Sequence, residues 1–144
     1  MPIYAGQTVT AGQLNRMQPT TYKAVQTSAL VGPQSGADVP GASITLTTQA
    51  PNAVVVAHAV FDFDPSSTIS ALANGRLVID GSGVGEYAVY QSIGATQDRQ
   101  STPQNYQETL AAAGSHTLKL ITTIPASMTL NVYTTLIVTV YEVA

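Results

Sequence analysis

The chain has 144 residues, of which only 9% are charged, with a formal net charge of −3 and neither cysteine nor tryptophan. Five scattered basic residues argue against a nucleic-acid footprint, no apolar run approaches the ~18 residues of a membrane span, and the first residues lack the basic-then-apolar build of a signal peptide. A hydrophobic fraction of 44% with small net charge argues against disorder, and the missing cysteines remove disulfides, thiolate nucleophiles and zinc knuckles while fitting synthesis in a reducing cytoplasm.

A chain of this length is one domain's worth and buries roughly 70% of its unfolded surface. Ordinary domains carry about 25% charged residues, so the polar surface here falls to Thr, Ser and Gln, with 19 threonines alone. Val, Ile and Thr fill 42 positions, which favours strands. Sparse charge on a strand-rich chain leaves its edges open to aggregation unless an assembly covers them.

Residues 1–23 read as an N-terminal arm. Thr10-Ala11-Gly12-Gln13 has the form of a capping box, in which the Thr10 hydroxyl accepts an early helix N–H and Gln13 reaches back. Leu14 and Met17 then share one face of a short helix that Pro19 stops, with extended chain on both flanks. Such an arm either packs as an N-terminal turn or docks the protein on a larger structure.

From Tyr22 onward the pattern is β. Residues 22–31 form a first strand, and a loop rich in Gly and Pro follows over 32–36 and at Pro40-Gly41. Ser43 to Thr47 alternates. In 53–63 every odd position is apolar, from Ala53 to Phe63, while the even positions, with His58 and Asp62 among valines, form neither a wet face nor a core. Asp64 to Ser67 reads as a turn, 68–74 as a helical turn or loop, 75–80 as a strand with Leu77 and Ile79 inward, 81–85 as a flexible turn, and 86–91 as a strand. A polar loop covers 92–97, strands resume at 104–110 and 116–124, and Pro125 ends the latter. The last strand, 128–143, turns Met128, Leu130, Val132, Leu136, Val138 and Val140 inward and leaves Tyr133, Ile137 and Tyr141 on its outer face. Eight to ten short strands without a long amphipathic helix or a repeat predict an all-β, antiparallel jelly-roll sandwich over 24–144, preceded by the extended arm with its short helix.

The residues for chemistry are few. His58 and Asp62 lie about 13 Å apart on one strand face, too far to bond. Ser115 and His116 are neighbours that face opposite ways, and no G-x-S-x-G elbow exists. Asp62 and Asp64 could bind calcium or act as an acid–base pair, but no further ligands stand at a recognisable spacing, and a turn at Asp64-Pro65 with Asp62 solvated or paired to an arginine is the plainer expectation. Gly81-Ser82-Gly83-Val84-Gly85 lacks the helix and lysine of a phosphate cradle. The expectation is a protein that is not an enzyme, with no catalytic, cofactor or metal site. Tyr133, Ile137, Tyr141 and His58 are the expected oligomer interface, and Ile3, Tyr4, Leu14 and Met17 the docking residues of the arm.

Three stretches carry a resemblance: Ser43-Ile44-Thr45-Leu46-Thr47 through Ala57, Thr109-Leu110-Ala111-Ala112-Ala113-Gly114-Ser115-His116-Thr117-Leu118-Lys119-Leu120, and Thr134 through Glu142. They resemble small jelly-roll virion proteins of tailed bacteriophages, and the opening Met1 to Gln7 with Thr10 to Leu14 is similar to the arms of such proteins. The β-domain also resembles the trimeric jelly roll of tumour necrosis factor and the complement heads, whose long C-terminal strand lies near the threefold axis. The resemblance implies a homotrimeric structural protein of the virion, made in the host cytoplasm. It would decorate or cement the capsid, or form a short head fibre, with the arm bound to the major capsid protein or a tail protein. The alternative is a tail or baseplate receptor-binding module that reads a host-surface glycan through exposed tyrosines. Nucleic acid and membrane are not expected partners.

Overall fold

The computed structural model describes residues 8–66, 70–94 and 98–142. The expected arm residues Ile3 and Tyr4 lie outside them. Among the described residues, one short helix, α1 (Ala11–Met17), precedes ten strands. These are β1 (Thr20–Val25), β2 (Leu30–Val31), β3 (Gln34–Thr48), β4 (Ala53–Pro65), β5 (Leu72–Ile79), β6 (Ser82–Gln91), β7 (Gln100–Leu110), β8 (Gly114–Ile124), β9 (Met128–Leu130) and β10 (Thr135–Tyr141).

All pairings are antiparallel. β4 runs between β10 and β7, and β1 flanks β10, so the first sheet has the order β1-β10-β4-β7. The second has the order β3-β8-β5-β6. Eight strands distributed in this way over two sheets are the jelly-roll arrangement, as the strand pattern predicted. β9 and β2 extend β10 and β1 at one end of the first sheet.

The odd positions of β4 face the second sheet and are fully buried, as expected from their apolar period. Phe61 and Phe63 of β4 and Tyr90 of β6 form a stack with centroids 5.9 and 5.6 Å apart, which ties the two sheets together. Gly75 of β5 lies against this stack: a Cβ there would come within 2.2 Å of the Phe61 ring. The β5–β6 connection is a two-residue turn at Asp80-Gly81 with φ of 49° and 84°, the left-handed pair that a tight hairpin requires.

Several sequence expectations change. The arm expected over 1–23 ends earlier, because Thr20 to Lys23 already pair with β10. The loop expected at 32–36 and 40–41 is largely strand: β3 starts at Gln34 and accommodates Gly36 and Gly41, both at positive φ, through two register shifts against β8. β4 runs through the expected turn at Asp64-Pro65, and Gly83 and Gly85 belong to β6. The long last strand is broken. Asn131 to Thr134 leave the ladder in a turn closed by Thr134 N–H to the Asn131 carbonyl, 3.1 Å. Val132 is therefore exposed rather than core, and Tyr133 sits on the turn rather than on the outer face of a strand.

Candidate functional site

The outer face of β1-β10-β4-β7 is built from four cross-strand rows. Tyr141 lies beside Val54 and Thr109. Thr21, Thr139, Val56 and Gln107 form the next row, with the two threonine hydroxyls 3.0 Å apart. Lys23, Ile137, His58 and Asn105 form the third, and Val25, Thr135, Val60 and Pro103 the fourth. Lys23 is the one side chain in these rows with a fixed formal charge. On the two central strands Val54, Val56, Val60 and Ile137 are only half-buried by their own sheet, interleaved with Thr135, Thr139 and an exposed His58. Such a face, aliphatic and hydroxylic with little charge, has the composition of a contact surface.

Of the residues predicted for the interface, Ile137 and His58 are direct neighbours, and Tyr141 lies four residues from Ile137 on the same side of β10, 46% exposed. His58 Nδ1 is 2.7 Å from Asn105 Oδ1, which orients the ring across β4 and β7. Tyr133 does not join them. It is 68% exposed at the end of the sheet, where the Arg99 guanidinium stands 5.2 Å from its ring centroid.

That end is held by charge. Asp62 is buried, and Arg99 grips its carboxylate with two N–H bonds of 3.0 and 2.5 Å, so the bidentate pairing holds the guanidinium above its usual range. The broken strand docks on the same residues. Asn131 donates its backbone N–H to the Asp62 carbonyl at 2.9 Å and its side-chain amide to Asp64 at 2.9 Å. The Thr134 hydroxyl accepts the Asp62 N–H at 3.1 Å. Gln26, also buried, spans the gap from β1 by donating to the carbonyls of Leu130 and Ser28. The two aspartates thus hold a strand end; Asp62 is paired with an arginine, as the plainer expectation had it.

His116 is held at the opposite end. Its Nδ1 lies 2.6 Å from the Asp80 carboxylate and its Nε2 3.0 Å from the Ala112 carbonyl. Both ring nitrogens face acceptors, and the Asp80 bond raises the imidazole pKa while His116 lowers that of Asp80. Asp80 also accepts the Thr117 N–H at 2.8 Å, so one carboxylate joins the β5–β6 turn to β8. Next to this lock an open groove of about 360 Å³ runs between the β5–β6 and β7–β8 turns. Its floor is Ile79, Val84 and Leu110, and Asp80, Glu108 and His116 stand on its walls.

The arm helix forms as its capping box predicted. Gln13 N–H donates to Thr10 Oγ1 at 3.3 Å and Thr10 N–H to Gln13 Oε1 at 2.9 Å. Asn15 and Gln18 lie near Thr47, Val140 and Glu142 at the sandwich end that carries the His116 lock. The apolar face stays uncovered: Leu14 is 54% and Met17 46% exposed.

Sequence reading missed three features. The valines of the even β4 face were visible only as an anomaly, because their flanking rows come from β7 and β10, 40 to 90 positions away. The His58–Asn105 bond, and which arginine takes Asp62, have no local signal for the same reason. The third is an apolar group at the β6 edge, where Leu72, Val89 and Ile93 are exposed.

No protein-family model matches the chain, and none of the curated proteins does. Among solved structures, the fold is similar to a chain of the T13 viral particle of IBDV, with a TM-score of 0.51 at 16% identity over 85% of this chain. This chain spans only about a third of that one, 31%. It is similar to the tripod from the baseplate of bacteriophage Tuc2009, with a TM-score of 0.52 at 11% identity, covering 99% of this chain and 74% of that one. It is also similar to latent PorU of Porphyromonas gingivalis, with a TM-score of 0.50 at 10% identity, covering 86% of this chain and 13% of that one. At these identities the likeness is one of fold.

Proposed function

We propose that the protein is a structural component of a virus particle, in the tailed-phage setting implied by the sequence resemblance, and that it works by binding alone, without catalysis or a cofactor. It assembles as a homotrimer through the outer face of β1-β10-β4-β7. Its N-terminal arm fastens it to the capsid or to a tail protein, where it decorates or cements the surface. The observation that carries this reading is the set of half-buried aliphatic side chains on the central strands of that face, Val54, Val56, Val60 and Ile137, with Lys23 as the only fixed charge in its rows. Covering such a face gains roughly 25 cal/mol for each Å² of apolar area removed from water, and three arms acting together raise the effective affinity for a particle. The likeness to chains of a viral particle and a phage baseplate agrees with this reading. The fold also occurs in PorU, so the weight rests on the surface rather than on the likeness.

The deciding measurement is the native mass by light scattering on a sizing column. A species near three times 14.9 kDa is expected, and a monomer at high concentration overturns the assembly. Because β1 starts at Thr20, removal of residues 1–18 is expected to leave the sandwich folded and to abolish attachment to particles. Retained attachment refutes the arm.

The groove beside His116 favours a second reading, a receptor-binding module for host-surface carbohydrate. Its carboxylates and imidazole suit sugar hydroxyls, and its aliphatic floor suits a sugar ring face. Copy number separates the two readings: a decoration protein covers the particle, whereas a receptor binder is present only at the tail tip.

A further inference from the structure

Of the two histidines, His116 is locked at one end of the sandwich, whereas His58 stands exposed on β4, a central strand of the outer face of β1-β10-β4-β7. Histidine is the side chain whose charge ordinarily changes between about pH 5 and pH 8. The surroundings of His58 offer that charge no partner. Val56 and Val60 flank it on the same side of β4. Across on β10 it pairs with Ile137, which stands between Thr135 and Thr139. Across on β7 it pairs with Asn105, which stands between Pro103 and Gln107. Lys23 of β1 ends the same row, two strand spacings or about 10 Å away, and has the sign of an imidazolium. Tyr141, two rows off, is the other titratable group of the rows.

The acidic side chains lie elsewhere. None of the eight stands in the four rows. Asp62, on the same side of β4 and about 13 Å along the strand, is buried and held by Arg99. Glu108 faces the other side of β7, on the wall of the His116 groove. Asn105 Oδ1 accepts from His58 Nδ1, so the neutral ring carries its proton there. A second proton goes to Nε2, which has no hydrogen-bond partner among the described residues.

We infer that assembly through this face requires His58 to be neutral, so that acid below about pH 6 takes the protein apart. The inference rests on the assembly proposed above and names what regulates it. Each copy brings the same face to the contact, so a partner adds further imidazoliums and lysines from its rows, but no carboxylate. Positive charges removed from water without a counter-charge are costly to bury. Each histidine that assembly keeps from protonating weakens the assembly about ten-fold for every pH unit below its titration. Both partners of the His116–Asp80 lock are charged between about pH 4 and pH 6.5, so acid in this window does not open that lock.

The test is the native mass by light scattering at about pH 7.5 and about pH 5.5 at one ionic strength, with circular dichroism to check that the chain stays folded. The parent is expected to need at least about ten-fold more protein for half assembly at the lower pH. His58→Gln keeps a donor for Asn105 but takes no charge, and its two half-assembly concentrations are expected to agree within about two-fold. His58→Thr, which matches the neighbouring rows, is read in the same way where glutamine assembles too weakly. His58→Arg is charged at every pH and is expected to be a monomer at both. His116→Gln is expected to keep the acid response of the parent. A parent equally assembled at both pH values overturns the inference and leaves the assembly standing. A His58→Gln chain as acid-sensitive as the parent, a His58→Arg chain that assembles, or a His116→Gln chain that loses the response overturns it as well. A parent that is a monomer at about pH 7.5 and high concentration removes the assembly itself, and this inference with it.

Discussion

The outer faces of the two sheets solve the same problem in opposite ways. On the outer face of β3-β8-β5 Lys119 pairs with Asp38 at 2.8 Å and Arg76 lies on Tyr87. On β1-β10-β4-β7 the four rows are largely aliphatic and hydroxylic, and within them Lys23 is the only fixed charge. The first surface satisfies its charges within a single chain and leaves its exposed apolar residues, Leu72 and Val89, at the β5–β6 edge. The second leaves branched aliphatic side chains partly wet, which costs free energy that only a partner can recover.

The largest expected effect removes the frame that both faces share. Phe61→Ala empties the stack between Phe63 and Gly75 and is expected to lower the unfolding free energy by about 4 kcal/mol in a urea titration. A loss under about 1 kcal/mol would mean that the sheets are held together elsewhere.

The comparison itself is tested by Ile137→Asp. A charge at the centre of the aliphatic face is expected to reduce the native mass to that of one chain, while the unfolding of the chain itself changes by only about 1 kcal/mol. An unchanged oligomer would make the two faces equivalent.

A smaller effect belongs to the His116 lock, and its sign follows from the directions of the two shifts. The folded imidazole titrates above its usual value of 6.5, so its stabilisation is complete below that pH and is lost as pH rises through the folded value. The folded Asp80 titrates below its usual 3.8, so its contribution is present above that pH and is lost as pH falls through the folded value. Thermal unfolding is thus expected to show its largest lock contribution between about pH 4 and pH 6.5. His116→Gln is expected to flatten the decline on the alkaline side. A variant with the same pH profile as the parent would show that the pair carries no coupled charge.

The smallest effect is expected for Lys119→Ala, which opens an exposed ion pair and should shift stability by no more than about 0.5 kcal/mol. A larger loss would show that the second face depends on its ion pairs more than solvent screening allows.

Two irregularities show why some of the fold was hidden from the sequence. Between the paired residues Val60↔Thr135 and Phe63↔Leu130, β4 has two residues and the opposite chain has four. Between Gly75↔Ala88 and Leu77↔Val84, β5 has one residue and β6 has three. Each insertion adds two residues. A strand alternates with period two, so such an insertion leaves the inward and outward phase unchanged on both sides. That is why 128–143 reads as one strand in the sequence although Asn131 to Thr134 form a turn.

The sequence by itself determined what depends on near neighbours. The capping box placed α1, the odd positions of 53–63 marked the buried face of β4, and the low charge with 42 Val, Ile and Thr residues marked a β-sandwich that exposes little ionic surface. The tertiary structure alone decided which residues meet across the sheets. It set His58 beside Asn105 and Ile137, gave Asp62 to Arg99 and His116 to Asp80, moved Tyr133 off the interface stripe, and brought Leu72, Val89 and Ile93 to one edge. The reason is physical: strand phase is fixed by successive side chains, whereas pairing partners are fixed by register and loop closure between segments tens of residues apart, which no local pattern records.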